Sequence, residues 1–295
     1  MKILRFLYVL LFVTLASCEK VILDEEESEN EPASVEVEGN VVLRIEQLGQ
    51  MSFQAMVKDA DEEVPAHLCF AIYDMGGTRV KQTNQKQGDK NYGIVGMQLD
   101  EGEYQLVLLA HNSTKNPTMT NLSKIQFNNT IGYTDTYLYY TTLSVTEEQQ
   151  TVTASLDRIV ALCRFVISDP IPESVTQMKF QYKGGSGHFS ALTGFGVTNS
   201  TQIVTRQVQP GQQYQVFDLY TFLHQEEGNI TLTAIALDAA GNSLSERNFK
   251  IPMAQNQVTW LTGNFFADKD DPDQWRLTPN IPLDKRWGNE VFYTY

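Results

Sequence analysis

The residue types that most often carry chemistry are sparse in this chain, and their spacing does not suit it. His67, His111, His188 and His224 are scattered. None has the H-x-x-x-H spacing that would set two imidazoles on one helix face to hold a metal. There is no G-x-S-x-G nucleophile turn and no C-x-x-C pair. Lys183-Gly184-Gly185-Ser186-Gly187 resembles a phosphate-cradling loop in composition only. It lacks the Walker spacing, leads into no helix pattern, and reads as a glycine hairpin between two strands. Asp268, Asp270, Asp271 and Asp273 offer hard oxygens of the kind calcium takes. Pro272 interrupts them, though, and the glycine and closing glutamate of an EF-hand are missing, so they read as a solvated linker. Tyr137, Tyr139 and Tyr140 could stack on sugars. At strand spacing the first two share a face and Tyr140 takes the other, which reads as packing rather than a platform. No cofactor, metal or catalytic constellation is expected, and the chain reads as a non-enzyme.

One cysteine is different. Lys2 and Arg5 precede the apolar run FLYVLLFVT, 6–14. That run is shorter than the about 20 residues a membrane-spanning helix needs and fits a secretory signal. Leu15-Ala16-Ser17-Cys18 then looks like the bacterial lipobox, in which the thiol is acylated and the cysteine becomes the new N-terminus. Each buried methylene contributes roughly 0.8 kcal/mol, and stable anchoring takes more than one chain, so a lipidated Cys18 would hold the protein on a membrane without a transmembrane helix. Residues 24–31 place six carboxylates in eight positions, and no Lys or Arg lies between Val21 and Leu43. Such a block repels itself and stays extended, as a tether does. It also resembles the acidic patch that follows the acylated cysteine in Bacteroidales lipoproteins sent to the cell surface.

The chain has 295 residues and a net charge of −14, which argues against nucleic-acid binding. With Cys18 lipidated, Cys69 and Cys163 remain. They could pair in an oxidising exterior or act as small buried hydrophobes.

The hydrophobic period is two almost throughout. Val35, Val37, Val41, Leu43 and Ile45 alternate with polar residues. Further strands read at 67–74, 78–83, 103–112 and 136–142. Ile159, Ala161, Cys163, Phe165 and Ile167 alternate on one side of a long strand, with Arg158 and Arg164 opposite. More strands follow at 175–182, 214–223, 229–238, 245–252 and 257–266. No amphipathic helix longer than three turns is expected. Many short strands with regular turns mean an all-β fold. The expected layout is a signal peptide, 1–18; an acidic linker, 19–34; a β-sandwich, 35–156; a second, 157–267; and a C-terminal tail, 268–295.

Four stretches then carry a resemblance. LDEGEYQLVLLAHN (99–112), LDRIVALCRFVI (156–167), YKGGSGHFSALTGFG (182–196) and IPMAQNQVTWLTGNFF (251–266) resemble, in order and spacing, motifs of the FimB-like fimbrillins, anchor-type lipoprotein subunits of Bacteroidales type V pili. The resemblance implies two tandem transthyretin-like β-sandwich domains. It also implies an outer-membrane, surface-exposed lipoprotein in an adhesive fimbria, joined to other fimbrial subunits by strand exchange, with a host or bacterial surface receptor as a further partner. In that family stalk subunits lose their lipid and first strand to a protease that cuts after an arginine, whereas an anchor keeps both. Here the arginine near the first strand, Arg44, sits inside VVLRIEQL, which favours the anchor over a stalk or tip role. The candidate strand to be exchanged is WGNEVFYTY (287–295). Trp287, Val291, Tyr293 and Tyr295 are expected on one face and Phe292 on the other. Two alternatives stay open: the tail pairs with an edge of its own second domain, or the protein is a surface glycan-binding lipoprotein.

Overall fold

The computed structural model describes residues 37–59, 63–267 and 286–295. The signal segment, Cys18, the acidic run 24–31 and the Asp268–Asp273 cluster lie outside the described residues.

The first half contributes β1 (Val41–Leu48), β2 (Met51–Ser52), helix α1 (Phe53–Lys58), β3 (His67–Asp74), β4 (Arg79–Lys86), β5 (Ile94–Met97), β6 (Gly102–His111), β7 (Ile125–Gln126), β8 (Thr136–Val145) and β9 (Gln150–Arg158). The second half contributes β10 (Ala161–Ile167), β11 (Gln177–Ser186), β12 (His188–Phe189), β13 (Asn199–Gln207), β14 (Gln215–Thr221), β15 (Glu227–Leu237), β16 (Ser243–Ala254), β17 (Gln257–Gly263) and β18 (Asn289–Thr294). The all-β expectation is met. The short α1 is capped by Ser52, whose Oγ accepts from the Ala55 amide at 3.4 Å.

Eight strands of the first half form one hydrogen-bonded path, β2-β1-β9-β8-β6-β3-β4, with β5 added on β1. β9 lets that path fold on itself. Its residues up to Leu156 run parallel to β1, and only Asp157 and Arg158 pair with β8. The two leaves joined by β9 close over one core. Val41, Leu43 and Ile45 of β1 meet Leu68, Phe70 and Ile72 of β3 and Leu106 and Leu108 of β6.

The second half stacks two four-stranded sheets, β14-β10-β17-β18 and β13-β11-β15-β16. Phe165, Phe180, Tyr182, Leu232 and Ile251 lie between them. A third cluster buries the reverse faces. Cys69, Ala71, Tyr73, Val107 and Leu109 turn away from the first core and meet Leu162, Val166, Val258 and Trp260, together with Met119, Leu122 and Phe127 from the 113–134 loop. Strands buried on both faces need no polar alternation, which is why HLCFAIYD and ALCRFVI read as nearly unbroken apolar runs.

The structure corrects two expectations. Cys163, Phe165 and Ile167 do share the inward face, but Ile159 belongs to the third cluster. Residues 159 and 160 fall between β9 and β10, so strand alternation does not reach back to them. The glycine stretch 184–187 is not a hairpin loop. Gly184 to Ser186 finish β11, whose pairing with β13 shifts register between Tyr182 and Gly185. The following β12 pairs with β7 instead. This is a β-bulge, which bends the strand and brings its backbone under Thr221.

Candidate strand-exchange site

β17 is the rail on which the last strand sits. It runs parallel to β10 on one side and to β18 on the other, with Gln257 opposite Asn289 and Thr262 opposite Thr294. Its exit is tied down. The Asp169 carboxylate accepts from the amides of Phe265, Phe266 and Ala267 at 2.8–2.9 Å. β18 is the outermost strand of its sheet, so among the described residues its far edge has no strand partner.

The alternative of self-pairing is therefore the arrangement seen here, and the alternation of side chains along 289–295 follows it. Tyr295 reaches the core between the two sheets, stacked on Phe165 at 5.2 Å and edge-on to Phe249 at 4.8 Å. Its hydroxyl donates to the Val166 carbonyl at 3.1 Å, and burial holds that hydroxyl well above its ordinary pKa. Gly263 makes room for it, since a Cβ there would lie 2.3 Å from the Tyr295 carbonyl oxygen. Val291 and Tyr293 share that side of the strand. Phe292 takes the other face and stacks on Trp260 at 5.8 Å, while the Trp260 Nε1 donates to Glu290 at 3.2 Å. Phe292 and Tyr293 remain 54% and 44% exposed, large apolar surfaces on an unpaired edge.

Trp287 departs from the expected face. It precedes the strand, so the period of two does not include it, and it joins Trp260 in the third cluster rather than Tyr295 in the second core. Its indole lies 3.9 Å from the Arg158 guanidinium and stacks on Tyr220 at 6.2 Å. Arg158 is the centre of this corner and is 4% exposed. Its Nε and Nη2 donate to the two Asp135 oxygens at 2.7 and 2.9 Å. Nη1 donates to Asn256 Oδ1 at 3.2 Å and to the Arg286 carbonyl, and Nη2 also reaches the Tyr137 hydroxyl. A buried guanidinium needs partners on every edge, and here the last one is the backbone just before β18. Arg164, on the outward side of β10, makes a smaller version with Asp218 at 2.7 Å and Trp260 at 4.9 Å.

The first strand is held differently. β1 lies between β5 and β9, paired on both sides, and Arg44 sits opposite Ile94 within the ladder.

The remaining chemical candidates become packing. Tyr137 and Tyr139 border the first core and Tyr140 the third cluster. Cys69 and Cys163 are both free and buried, and burial lifts the Cys69 thiol to about 12. Three residues that no spacing connects do meet. His67 stacks on its cross-strand partner His111 at 5.2 Å, and His111 Nε2 lies 3.7 Å from Cys69 Sγ. The Ser113 amide donates to His111 Nδ1 at 3.2 Å, so Nε2 carries the proton and points it at the sulfur. In that tautomer Nε2 has no lone pair for a metal, and the Nδ1 lone pair is taken by the Ser113 amide. Among the described residues no group of three ligands could hold one. Burial, and then the neighbouring His67, pushes His111 down to about 3. The unfolded chain binds a proton at this position from about pH 6.5 downward and the folded one does not. Stability is therefore full above pH 6.5 and lost as pH falls toward 3, by roughly 1.4 kcal/mol per unit. Urea unfolding at pH 7 and pH 5 is expected to differ by about 2 kcal/mol more in the parent than in a His111→Gln variant. Equal slopes would contradict this.

A family of unknown function, DUF6562, matches residues 31–294. No curated protein matches the chain. Among solved structures, a candidate adhesin from Bacteroides ovatus is 15% identical with a TM-score of 0.49, covering 72% of this chain and 81% of that one. A candidate adhesin from Bacteroides thetaiotaomicron is 16% identical with a TM-score of 0.45, covering 70% and 79%. The fimbrial anchor protein Mfa2 from Porphyromonas gingivalis is 10% identical with a TM-score of 0.40, covering 70% and 80%.

Proposed function

We propose that this chain, which belongs to the DUF6562 family, is a subunit of a surface fimbria, that it is held to the outer membrane by a lipid on Cys18, and that it joins its neighbours through the strand 289–295. The observation that carries the reading is the state of β18. It is a separate strand, laid parallel on β17, with no strand on its other edge among the described residues and with Phe292 and Tyr293 exposed. A strand in that position can be given to an open sheet edge elsewhere, where main-chain bonds supply affinity and alternating side chains supply fit. The four stretches that resemble motifs of the FimB-like fimbrillins, and the lipobox-like sequence before the acidic run, point the same way. The anchor role is favoured by β1. A protease acting after Arg44 would have to cut a strand paired on both sides, and such backbone is poor substrate.

The test is deletion of Asn289–Tyr295 with Trp287 retained. Fibres are expected to leave the cell surface while the rest of the protein stays folded. Fibres retained at the parental level would contradict strand donation.

A further inference from the structure

The two ends of the segment 286–295 are held in different ways. At the first, Trp287 covers one face of a buried cation. Trp287 is 9% exposed, and the same Arg158 guanidinium lies 4.7 Å from the Tyr137 ring. Arg158 Nη1 also takes the Arg286 carbonyl, and the Gly288 amide donates to the Asn256 carbonyl at 3.1 Å. Withdrawing Trp287 would strip a charge that is already out of water of part of its compensation. At the second point, Tyr295 rests on Phe165 and Phe249 and makes one hydroxyl bond to a main-chain carbonyl. Releasing Tyr295 itself exposes a ring and parts no charged pair; opening the strand behind it also separates Glu290 from Trp260 Nε1 and Phe292 from the Trp260 ring. Between the two, β18 pairs with β17 and, among the described residues, with no other strand, and Phe292 and Tyr293 are exposed.

We infer that the exchangeable element is the segment 289–295 alone: it opens when Tyr295 leaves its site, turning at Gly288, while Trp287 stays clamped on Arg158. This rests on the reading that β18 passes to another subunit, and it assigns that event its boundaries. The hinge falls at Gly288 for a steric reason. A Cβ there would lie 2.8 Å from Asn256 Nδ2 and 3.1 Å from the Asn256 carbonyl oxygen, a close approach that glycine makes without displacing either, and glycine's backbone also turns most freely. The consequence is a short reach. Seven extended residues span about 23 Å at roughly 3.3 Å each, so the accepting edge must lie beside this domain rather than at the far end of a long linker.

Local opening of this kind is measurable without fibres. In the full chain, hydrogen exchange at the amides of Val291, Tyr293 and Tyr295, the alternate set that faces β17 with Tyr295 donating to the Thr262 carbonyl at 3.1 Å, is expected to run at least tenfold faster than at the Gly288 amide, which donates to the Asn256 carbonyl at the same distance. In a Tyr295→Ala variant, chymotrypsin should cut after Phe292 or Tyr293 at least tenfold faster than in the parent, with trypsin cleavage after Arg286 unchanged. Trp287→Leu should accelerate the cut after Arg286. Equal exchange at Gly288 and at these β18 amides, or a Tyr295→Ala variant in which both sites open together, would overturn the inference, because the tail would then leave as one piece. If the exchange pattern holds but deletion of 289–295 leaves fibres in place, the hinge stands and the fimbrial reading fails.

Discussion

An Arg158→Ala variant is expected to lose about 3–5 kcal/mol of unfolding free energy in denaturant titration, because removing one partner of a buried ion pair leaves the other uncompensated. The Asp135 side chain is 21% exposed, and both its oxygens accept from Arg158. Tyr137 and Trp287 each lose their contact with the cation as well. A double variant, Arg158→Leu with Asp135→Leu, separates the causes. If the penalty comes from the stranded carboxylate, the double variant recovers most of it. If the cost lies in the bonds to Asn256 and the Arg286 carbonyl, the two variants are equally unstable. A loss below about 1 kcal/mol in the single variant would mean that Arg158 behaves as a surface ion pair.

Phe165→Ala is expected to cost about 3–5 kcal/mol, the range for emptying an aromatic site in a close-packed core. Phe165 is fully buried and is the ring on which the second core converges. Phe180 meets it at 5.4 Å, Phe249 at 5.4 Å, Phe265 at 6.3 Å and Tyr295 at 5.2 Å. The variant should also loosen β18, since the Tyr295 site loses its floor. Calorimetry reads the first effect and hydrogen exchange over Val291–Thr294 the second. An unchanged melting temperature would place Phe165 outside the core.

Much of the fold was legible because strand chemistry is local. HLCFAIYD corresponds residue for residue to β3, and 103–112 lies within one residue of β6 at each end. Turn residues and period-two runs decide such segments without tertiary help. Legibility ended where a contact joins distant parts of the chain. Arg158 meets Asp135, Asn256 and Arg286, separated from it by 23, 98 and 128 positions, and no periodicity points from one to another. The same holds for His67 and His111, which become neighbours only through the antiparallel register of β3 and β6. Ile159 and Trp287 show the other limit. Both sit just outside a strand, where the alternation rule was extended a step too far. The exchange candidates 291–295 were readable as an alternating strand. Pairing with an edge of their own second half is one of the alternatives the sequence leaves open, but the partner β17, the parallel direction and the register are not in the pattern, because the partner strand sets them.

The most direct measurement of the central claim is mass spectrometry of this chain recovered from fibres sheared off cells and crosslinked beforehand. The account predicts an N-terminal peptide that begins at an acylated Cys18, intact peptides covering Val41–Leu48, and crosslinks from 289–295 to a different subunit. A chain that begins at Ile45 after cleavage at Arg44, or crosslinks from 289–295 confined to its own β17, would contradict it.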